Sequence, residues 1–457
     1  MADIKEHIST RYILAVLGSM AMAIVYGLKV NLSVAIVSMV NHTATVSAEE
    51  AHDVDPSQDG PFIWPGTVQG LLKSAYFWGY IVAQLPAARI AELFSAKWVM
   101  FFSVFINVIC TILTPICAKG HYGLFIFMRI LEGVGGGVTF PGMHVLLARW
   151  APPNERSVMS SIVYAGTALG TVIFTLVTGL IADKYGWEAI FYIQGSTAAV
   201  WLILCKELDL IQSSLSDGGG GDSEHKRMKV PWKAVLTSPP FLAILVAHTC
   251  CNWGWYMVLI ELPHYMSTIL KYQIAQNAVV SSIPYFTMWL FSMILSKTLD
   301  VLRGKKKITT TTARKISTLI ATIGPLICFL AICYSGTNKV AVTILMTFAI
   351  TAIGGMFSGY LSNHIDIAPN FAGTLIAITN TSATIPGILV PVFVGKLTEA
   401  DPTVGSWQIV FWVTIVLYLI PTVVYGIFGS GEEQKWNKIN SEIDEKPSEE
   451  QPLRPLK

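Results

Sequence analysis

The sequence predicts an all-α polytopic membrane protein whose twelve transmembrane helices form two six-helix halves. Three observations predict this fold class: the composition, the apolar stretches that recur along the chain, and one polar gap near the middle. Of the 457 residues, 53% are hydrophobic and only 13% are charged, and the mean hydropathy is +0.55. Because soluble domains carry about 25% charged residues, the expected solvent of this chain is a lipid bilayer.

Apolar runs bounded by breakers and charges delimit the helices, since each run approaches the roughly 20 residues that cross the hydrocarbon core. The predicted spans are residues 12–40, 66–90, 96–117, 123–149, 157–181, 188–205, 241–270, 276–298, 316–335, 340–362, 373–398 and 407–429. Pro386 and Pro391 predict a break in the eleventh helix. The cysteines lie in apolar stretches without the spacing of a metal site, so neither a metal nor a cofactor is expected.

A charged, glycine-rich segment predicts the boundary between the halves. It contains four consecutive glycines, Gly218 to Gly221, followed by a mixed run of acids and bases typical of a flexible linker. The predicted organisation is an N-terminal half over residues 1–205, a linker over 206–235, a C-terminal half over 236–429 and a tail over 430–457. The sixth helix is therefore expected to end at Cys205.

The distribution of basic residues predicts the orientation in the membrane. With the N-terminus inside, 23 of the 31 Lys and Arg residues fall in cytoplasmic segments, so both termini are predicted to be cytoplasmic. The first loop on the other side, residues 41–65, holds five acids and no Lys or Arg. It also carries an Asn-His-Thr sequon, which makes Asn41 a predicted glycosylation site. A net charge of +2 gives no reason to expect a nucleic-acid partner.

Arg129 is the strongest functional signal, because an ionised side chain at the centre of a bilayer helix costs about 3 kcal/mol or more. Counted at about 1.5 Å per residue, Lys29 and Lys73 lie in the same band of depth. Three cations in a low-dielectric cavity favour a small anionic solute as the ligand. Two alternatives stay open: the lysines snorkel outward, or Glu132 neutralises Arg129 permanently.

Glu132 is the predicted proton-coupling acid. It follows Arg129 by three residues, so the two side chains share one face of the helix and can touch. A partly desolvated carboxylate beside a cation is suited to reversible protonation. His144 is a predicted proton relay, although a histidine hydrogen-bonded near a helix end remains an alternative. Glu261 remains an alternative ion site.

Seven strings in order along the chain go beyond composition: Leu28 to Asn41, Phe77 to Tyr80, Arg129 to His144, Trp150 to Ser157, Asn363 to Pro369, Asn380 to Pro386 and Gly431 to Trp436. Together they resemble the anion/cation symporter family of the major facilitator superfamily. The sialin branch and the insect inorganic phosphate cotransporters are the most similar branches.

The resemblance implies a monomeric transporter that alternates a central site between the two faces of a lysosomal or plasma membrane. The implied cargo is a small organic anion such as sialic acid or another acidic sugar, driven by H⁺. The family motif has a second glutamate where this chain has Gly136, so Na⁺ coupling or uniport stays possible. The alternatives are a sodium-dependent inorganic phosphate cotransporter and a non-transporting membrane sensor or scaffold. No residue pattern suggests an enzyme.

The remaining predicted site residues fall into three groups. The predicted substrate-binding set is completed by three tyrosines, Tyr76, Tyr164 and Tyr256. Predicted gate or packing residues near the cytoplasmic end of helix ten are Asn363, His364 and Asp366. Two small residues, Gly133 and Gly137, are expected to let helix four pack closely on helix five.

Overall fold

The chain forms a bundle of α-helices in a computed structural model, which describes residues 10–41, 60–64, 66–152, 155–216, 230–262, 265–266, 269–270, 274–400 and 403–437. The helices are α1 (Thr10–Met39), α2 (Gly66–Ile90), α3 (Ala96–Gly120), α4 (Tyr122–Gly137), α5 (Thr139–Trp150), α6 (Arg156–Tyr185), α7 (Trp187–Ser216), α8 (Trp232–Leu236), α9 (Pro239–Tyr256), α10 (Ile274–Gly304), α11 (Thr310–Ser335), α12 (Lys339–Ile353), α13 (Tyr360–Ile367), α14 (Ala372–Ala400) and α15 (Val404–Phe428).

These helices make twelve spans, and the predicted fold class is confirmed. The fifteen described helices make twelve spans for two reasons. Helices α4 and α5 form one span, because they continue one another across Val138, and α12 and α13 form another, which is interrupted. Helix α8 has only five residues and is too short to be a span. The helices α1 to α7 belong to the first half and α9 to α15 to the second. Within the described residues, nine segments are long and apolar enough to cross a membrane, and one of them contains both α2 and α3.

The predicted end of the sixth helix is wrong, because α7 continues to Ser216. Residues 206–216 are more polar than the preceding turns, but they contain no proline or glycine. Polarity marks where a helix leaves the hydrocarbon core, whereas the helix itself ends where a breaker intervenes. Residues 217–229 of the predicted linker lie outside the described residues, as do residues 438–457 of the predicted tail.

The predicted break in the eleventh helix is also wrong, since α14 is helical through Pro386. The interruption lies in the preceding span, where Gly354 begins a short 3₁₀ turn between α12 and α13. A Cβ at Gly355 would overlap the carbonyl oxygen of Ser317, and one at Gly359 would press on Thr318. Close approach to α11 therefore explains why this interruption is built from glycines.

Glycines also set the packing of the first half, but against different helices from those predicted. A Cβ at Gly133 or Gly137 would overlap a backbone carbonyl of α2, that of Tyr76 or Tyr80 respectively. Helix α4 therefore packs on α2 and not, as predicted, on the fifth span, which is α6. Two glycines of α6, Gly166 and Gly170, face α1 instead. The spacing of small residues indicates a close contact, but it contains no information about the partner helix.

Gly133→Ala is expected to destabilise the protein by about 1–3 kcal/mol, because the new methyl group overlaps backbone that cannot rotate away. Gly179→Ala is the matched control, since no atom lies within 4 Å of its added Cβ. Thermal unfolding of the purified proteins should show a lower midpoint for the first variant only. Equal midpoints would contradict the packing described here.

Hydrogen bonds join the two halves near one face of the bundle, called here the terminal face because α1 begins and α15 ends there. Glu92, just beyond α2, accepts from the backbone N–H and the hydroxyl of Thr374 at the start of α14, at 2.6 and 2.7 Å. Asp300 of α10 accepts from the backbone N–H of Val158 at the start of α6, at 2.8 Å. These bonds hold the halves together at the terminal face.

Candidate functional site

Arg129 and Glu132 form a buried ion pair on α4. The guanidinium Nη1 lies 2.5 Å from Glu132 Oε2, and the two side chains are 3% and 2% exposed. Their separation of three residues places them on one helix face, as the sequence predicts. The hydroxyl of Thr111 on α3 donates to the other carboxylate oxygen at 3.0 Å. The carboxylate is therefore held by one cation and one neutral donor.

The guanidinium of Arg129 also contacts α1. Its Nη2 donates to the backbone carbonyl of Lys29 at 3.1 Å. Its Nε is buried and has no hydrogen-bond partner among the described residues. Because a buried N–H without a partner is costly, Arg129 retains a donor that a ligand oxygen can satisfy.

The Lys29 ammonium lies in a cage of aromatic rings. Its Nζ is 4.7 to 5.9 Å from the centroids of five rings, those of Tyr26, Tyr76, Phe77, Tyr80 and Tyr256. Cation–π attraction stabilises an ammonium in such a site without neutralising its charge. Within the described residues Lys29 makes no ion pair with a carboxylate.

Tyr76 lies between the two cations. Its ring centroid is 5.4 Å from Lys29 Nζ and 5.3 Å from Arg129 Cζ. Its hydroxyl is buried and lacks a hydrogen-bond partner among the described residues. A Cβ at Gly136 would overlap that hydroxyl, so a larger side chain at this position would force the ring to move.

Two residues of the second half, Tyr256 and Asn380, reach this site. Tyr256 of α9 completes the cage and packs edge-on against Phe77, with 6.3 Å between ring centroids. The hydroxyl of Tyr80 accepts a hydrogen bond of 2.8 Å from Asn380 of α14. The site therefore lies between the halves, where a relative movement of the halves would change it.

Lys73 does not join this cluster. Its side chain is exposed, and within the described part of the chain it makes no hydrogen bond and no ring contact.

Asn41, the predicted glycosylation residue, follows α1 at the face opposite the terminal face, where its N–H donates to the carbonyl oxygen of Phe62 at 2.8 Å. Positions 42 and 43 of its sequon lie outside the described residues.

Tyr164 and His144 form a second cluster. His144 follows Arg129 by fifteen positions, which corresponds to about 22 Å along the α4–α5 axis. The Tyr164 hydroxyl is 2.5 Å from His144 Nδ1, and His144 Nε2 is 3.0 Å from the carbonyl oxygen of Leu361 in the other half. The structure therefore separates these two predicted site residues from Arg129 and places them at a contact between the halves.

Two more histidines extend this second cluster into the C-terminal half. His364 on α13 is 3.0 Å from the same Leu361 carbonyl through Nδ1, and its Nε2 is 2.8 Å from the Thr379 hydroxyl. His248 on α9 is 3.1 Å from that hydroxyl. The Leu361 carbonyl can only accept, so it interrupts any chain of proton transfer between His144 and His364.

Asp366 joins the halves at the terminal face. Its carboxylate accepts from Arg156 of the first half at 3.0 Å and from Arg314 of the second half at 2.5 Å. Arg314 Nη1 also donates to the Ser157 hydroxyl of the first half at 2.7 Å. Asn363, three residues earlier, donates to the Tyr425 hydroxyl within the second half at 2.8 Å.

Asp366→Asn is expected to weaken closure of the terminal face by about 3–5 kcal/mol, because two buried guanidiniums lose their shared carboxylate. Thermal unfolding should show a clearly lower midpoint. Glu188→Gln is the control, since the Lys119–Glu188 pair is solvent-exposed and such pairs contribute about 1 kcal/mol at most. Equal midpoints for the two variants would contradict the proposed closure.

Sequence reasoning missed most of the cage and the bond from Asn380. The available signal was local: Tyr26 precedes Lys29 by three residues, and Tyr76 and Tyr80 are four residues apart on α2. Such spacing places side chains on one helix face, but aromatic residues also line lipid-facing surfaces. The sequence alone therefore did not distinguish a cage from a membrane-facing aromatic belt.

Comparisons with known proteins agree with this architecture. The model of the Major Facilitator Superfamily matches residues 12–391. A Drosophila melanogaster protein named "Putative inorganic phosphate cotransporter" is 38% identical over 96% of this chain and 88% of its own length. Sialin of Homo sapiens is 36% identical, covering 94% and 91%. Vesicular glutamate transporter 1 of Bos taurus is 33% identical, covering 95% and 80%.

A solved structure supports the fold independently. The proton:xylose symporter XylE, bound to 6-bromo-6-deoxy-D-glucose, superposes with a TM-score of 0.72 at 13% identity, covering 94% of this chain and 98% of XylE. At that identity the likeness concerns the fold alone. The family match covers most of the chain, and three relatives above 30% identity cover nearly all of it. The chain therefore belongs to the Major Facilitator Superfamily and is a multi-pass membrane transporter.

Proposed function

We propose that this protein carries a small organic anion across the membrane by alternating access, with Arg129 and Lys29 binding the acid group. One observation carries the proposal: the described site between the halves holds two cations and one carboxylate. In a site shielded from water, the excess positive charge favours an anion over a neutral solute. The unpartnered Arg129 Nε and Tyr76 hydroxyl supply donors for its oxygens.

The proposed substrate class is an acidic sugar such as sialic acid. A sugar has apolar faces that pack on aromatic rings, and the cage places Tyr76, Phe77 and Tyr256 beside the two cations. The relative named sialin, at 36% identity over nearly the whole chain, supports the same class.

The proposed coupling ion is H⁺, and Glu132 is the proposed proton acceptor. As a carboxylate, Glu132 accepts the hydrogen bond that Arg129 Nη1 donates. Protonation of Glu132 would weaken this bond, so that the N–H could donate to an incoming anion instead. Binding of substrate and proton would then favour one another. Rocking of the halves about the site between them would expose it to each face in turn. In this proposal the terminal face is cytoplasmic, and the membrane is lysosomal or plasma membrane.

A sodium-dependent inorganic phosphate cotransporter is the second candidate. The observation that favours phosphate as the cargo is the 38% identity to the Drosophila melanogaster protein named "Putative inorganic phosphate cotransporter", a name that does not specify the coupling ion. Gly136 is consistent with it, because the resemblance to the symporter family places a second coupling glutamate at this position. Phosphate is itself an anion, so the charge argument applies to both candidates.

Uptake into proteoliposomes tests the proposal and separates the candidates. Purified protein would be offered sialic acid, glucuronate, glutamate, urate and phosphate, under a pH gradient and, separately, under a sodium gradient. We expect an acidic sugar to accumulate with the pH gradient alone. Accumulation of phosphate with sodium alone would establish the second candidate, and uptake of none of these anions would contradict both.

A further inference from the structure

A basic pocket on the terminal face lies apart from the central site. It occupies about 320 Å³ between the end of α10 and the start of α11, and its lining residues are Arg303, Lys306, Lys307, Ile308, Thr309 and Thr310. The segment from Lys297 to Lys315 contains seven basic residues and a single acid, Asp300. That acid is buried and bonded to Arg303 and Val158, so it leaves the pocket basic.

The pocket is preorganised, because hydrogen bonds hold the side chain of its arginine in place. The Arg303 side chain is 7% exposed; Nη1 pairs with Asp300 at 3.1 Å and Nη2 donates to the Thr310 hydroxyl at 3.1 Å. Lys306 and Lys307 are exposed above it. Helix α11 begins at the same place, where the Thr309 hydroxyl accepts from the N–H of Thr312 at 3.1 Å, and helix N-termini favour anions.

The backbone of Lys306, which lines the pocket, has an unusual conformation. Its φ is +57°, a left-handed conformation that favours glycine, and it is the one such non-glycine residue among those described. The N–H of Lys307 closes the turn on the Leu302 carbonyl at 3.0 Å, as in the common helix ending that places glycine at this position. A lysine in this conformation is less stable than a glycine, and its side chain contributes a positive charge to the lining of the pocket.

The surroundings identify the kind of anion. Val301 and Ile316, on the two helices that flank the pocket, are 41% and 38% exposed, so apolar side chains continue from the pocket toward the hydrocarbon. Basic residues at this depth attract the headgroups of anionic lipids. We propose that the pocket binds the phosphate-bearing headgroup of an anionic membrane lipid. Its occupant would contact Arg303, which also donates to Ser157 of the other half at 3.4 Å.

Binding of a short-chain phosphatidylinositol phosphate to the full-length protein in phosphatidylcholine nanodiscs tests this proposal. Lys306→Gly should weaken binding about fivefold, since each basic residue near a membrane surface contributes about 1 kcal/mol. The same variant should unfold at an equal or higher temperature, because glycine relieves the left-handed backbone. Adding Lys307→Gln should weaken binding about thirtyfold. Lys233→Gln, an exposed lysine of the same face outside the pocket, is the control and should bind as the wild type does.

Three results would overturn the proposal. They are the absence of binding by the wild type, an equal loss of affinity in Lys233→Gln and Lys306→Gly, and complete displacement of the lipid by inorganic phosphate. The last result would show that the pocket takes a free anion. The readout is lipid binding, so the outcome does not depend on which solute the central site transports.

Discussion

Arg129→Gln should abolish anion uptake, lowering the initial rate about 100-fold or more. The substitution removes the guanidinium that is proposed to bind the acid group, and it leaves the Glu132 carboxylate buried beside a single neutral donor, Thr111. Removing one partner of a buried, hydrogen-bonded charge pair at a binding site typically costs about 2–5 kcal/mol of affinity, and about 1.4 kcal/mol corresponds to a factor of ten. Radiolabelled uptake into proteoliposomes, at matched protein content, measures the effect.

The double variant Arg129→Gln/Glu132→Gln distinguishes a loss of anion binding from a loss of folding stability. It removes both members of the pair, so neither is left as a buried charge without its partner, and it should unfold close to the wild-type temperature. Its uptake should nevertheless stay at the background level, because the anion-binding cation is absent. Wild-type rates in the double variant would show that Arg129 has only a structural role.

Glu132→Gln should uncouple transport from the proton gradient. The amide is nearly isosteric with the carboxylate, and its carbonyl can still accept from Thr111, but it no longer titrates. Accumulation driven by a pH gradient should fall to the level measured without one. Exchange of internal for external anion should persist, because exchange needs only the binding site and the movement of the halves.

Glu261→Gln is the matched control for this prediction. Glu261 lies in the π-helical turn that follows α9 and is half-buried, and within the described residues no ion pair joins it to Arg129. The control should keep its response to the pH gradient. If Glu261→Gln loses that response and Glu132→Gln keeps it, the coupling acid has been assigned to the wrong residue.

The local part of the site could be predicted from the sequence. Arg129 and Glu132 meet because residues three apart share a helix face, and this depends only on the helix being formed. The burial of the pair also followed from sequence, since both residues stand in a long apolar run. The twelve spans were predicted for a similar reason, because hydrophobic length determines which segments cross a bilayer.

The contacts between helices could not be predicted in this way. Lys29 and Lys73 lie at similar depth, yet the first lies in the cage and the second is exposed, because rotation about a helix axis depends on how neighbours pack. The partner of Gly133 depends on the same packing. His144 was predicted as a proton relay, and the structure places it at a contact with Leu361, which lies 217 positions away in the sequence.

The most direct test of the central claim compares an acidic sugar with its uncharged methyl ester in wild-type proteoliposomes. If the two cations of the site, Arg129 and Lys29, select the cargo, the free acid should be taken up and should compete with labelled substrate, whereas the ester should do neither. Uptake of the ester at the rate of the acid, unchanged by Arg129→Gln, would contradict the claim that this site recognises negative charge.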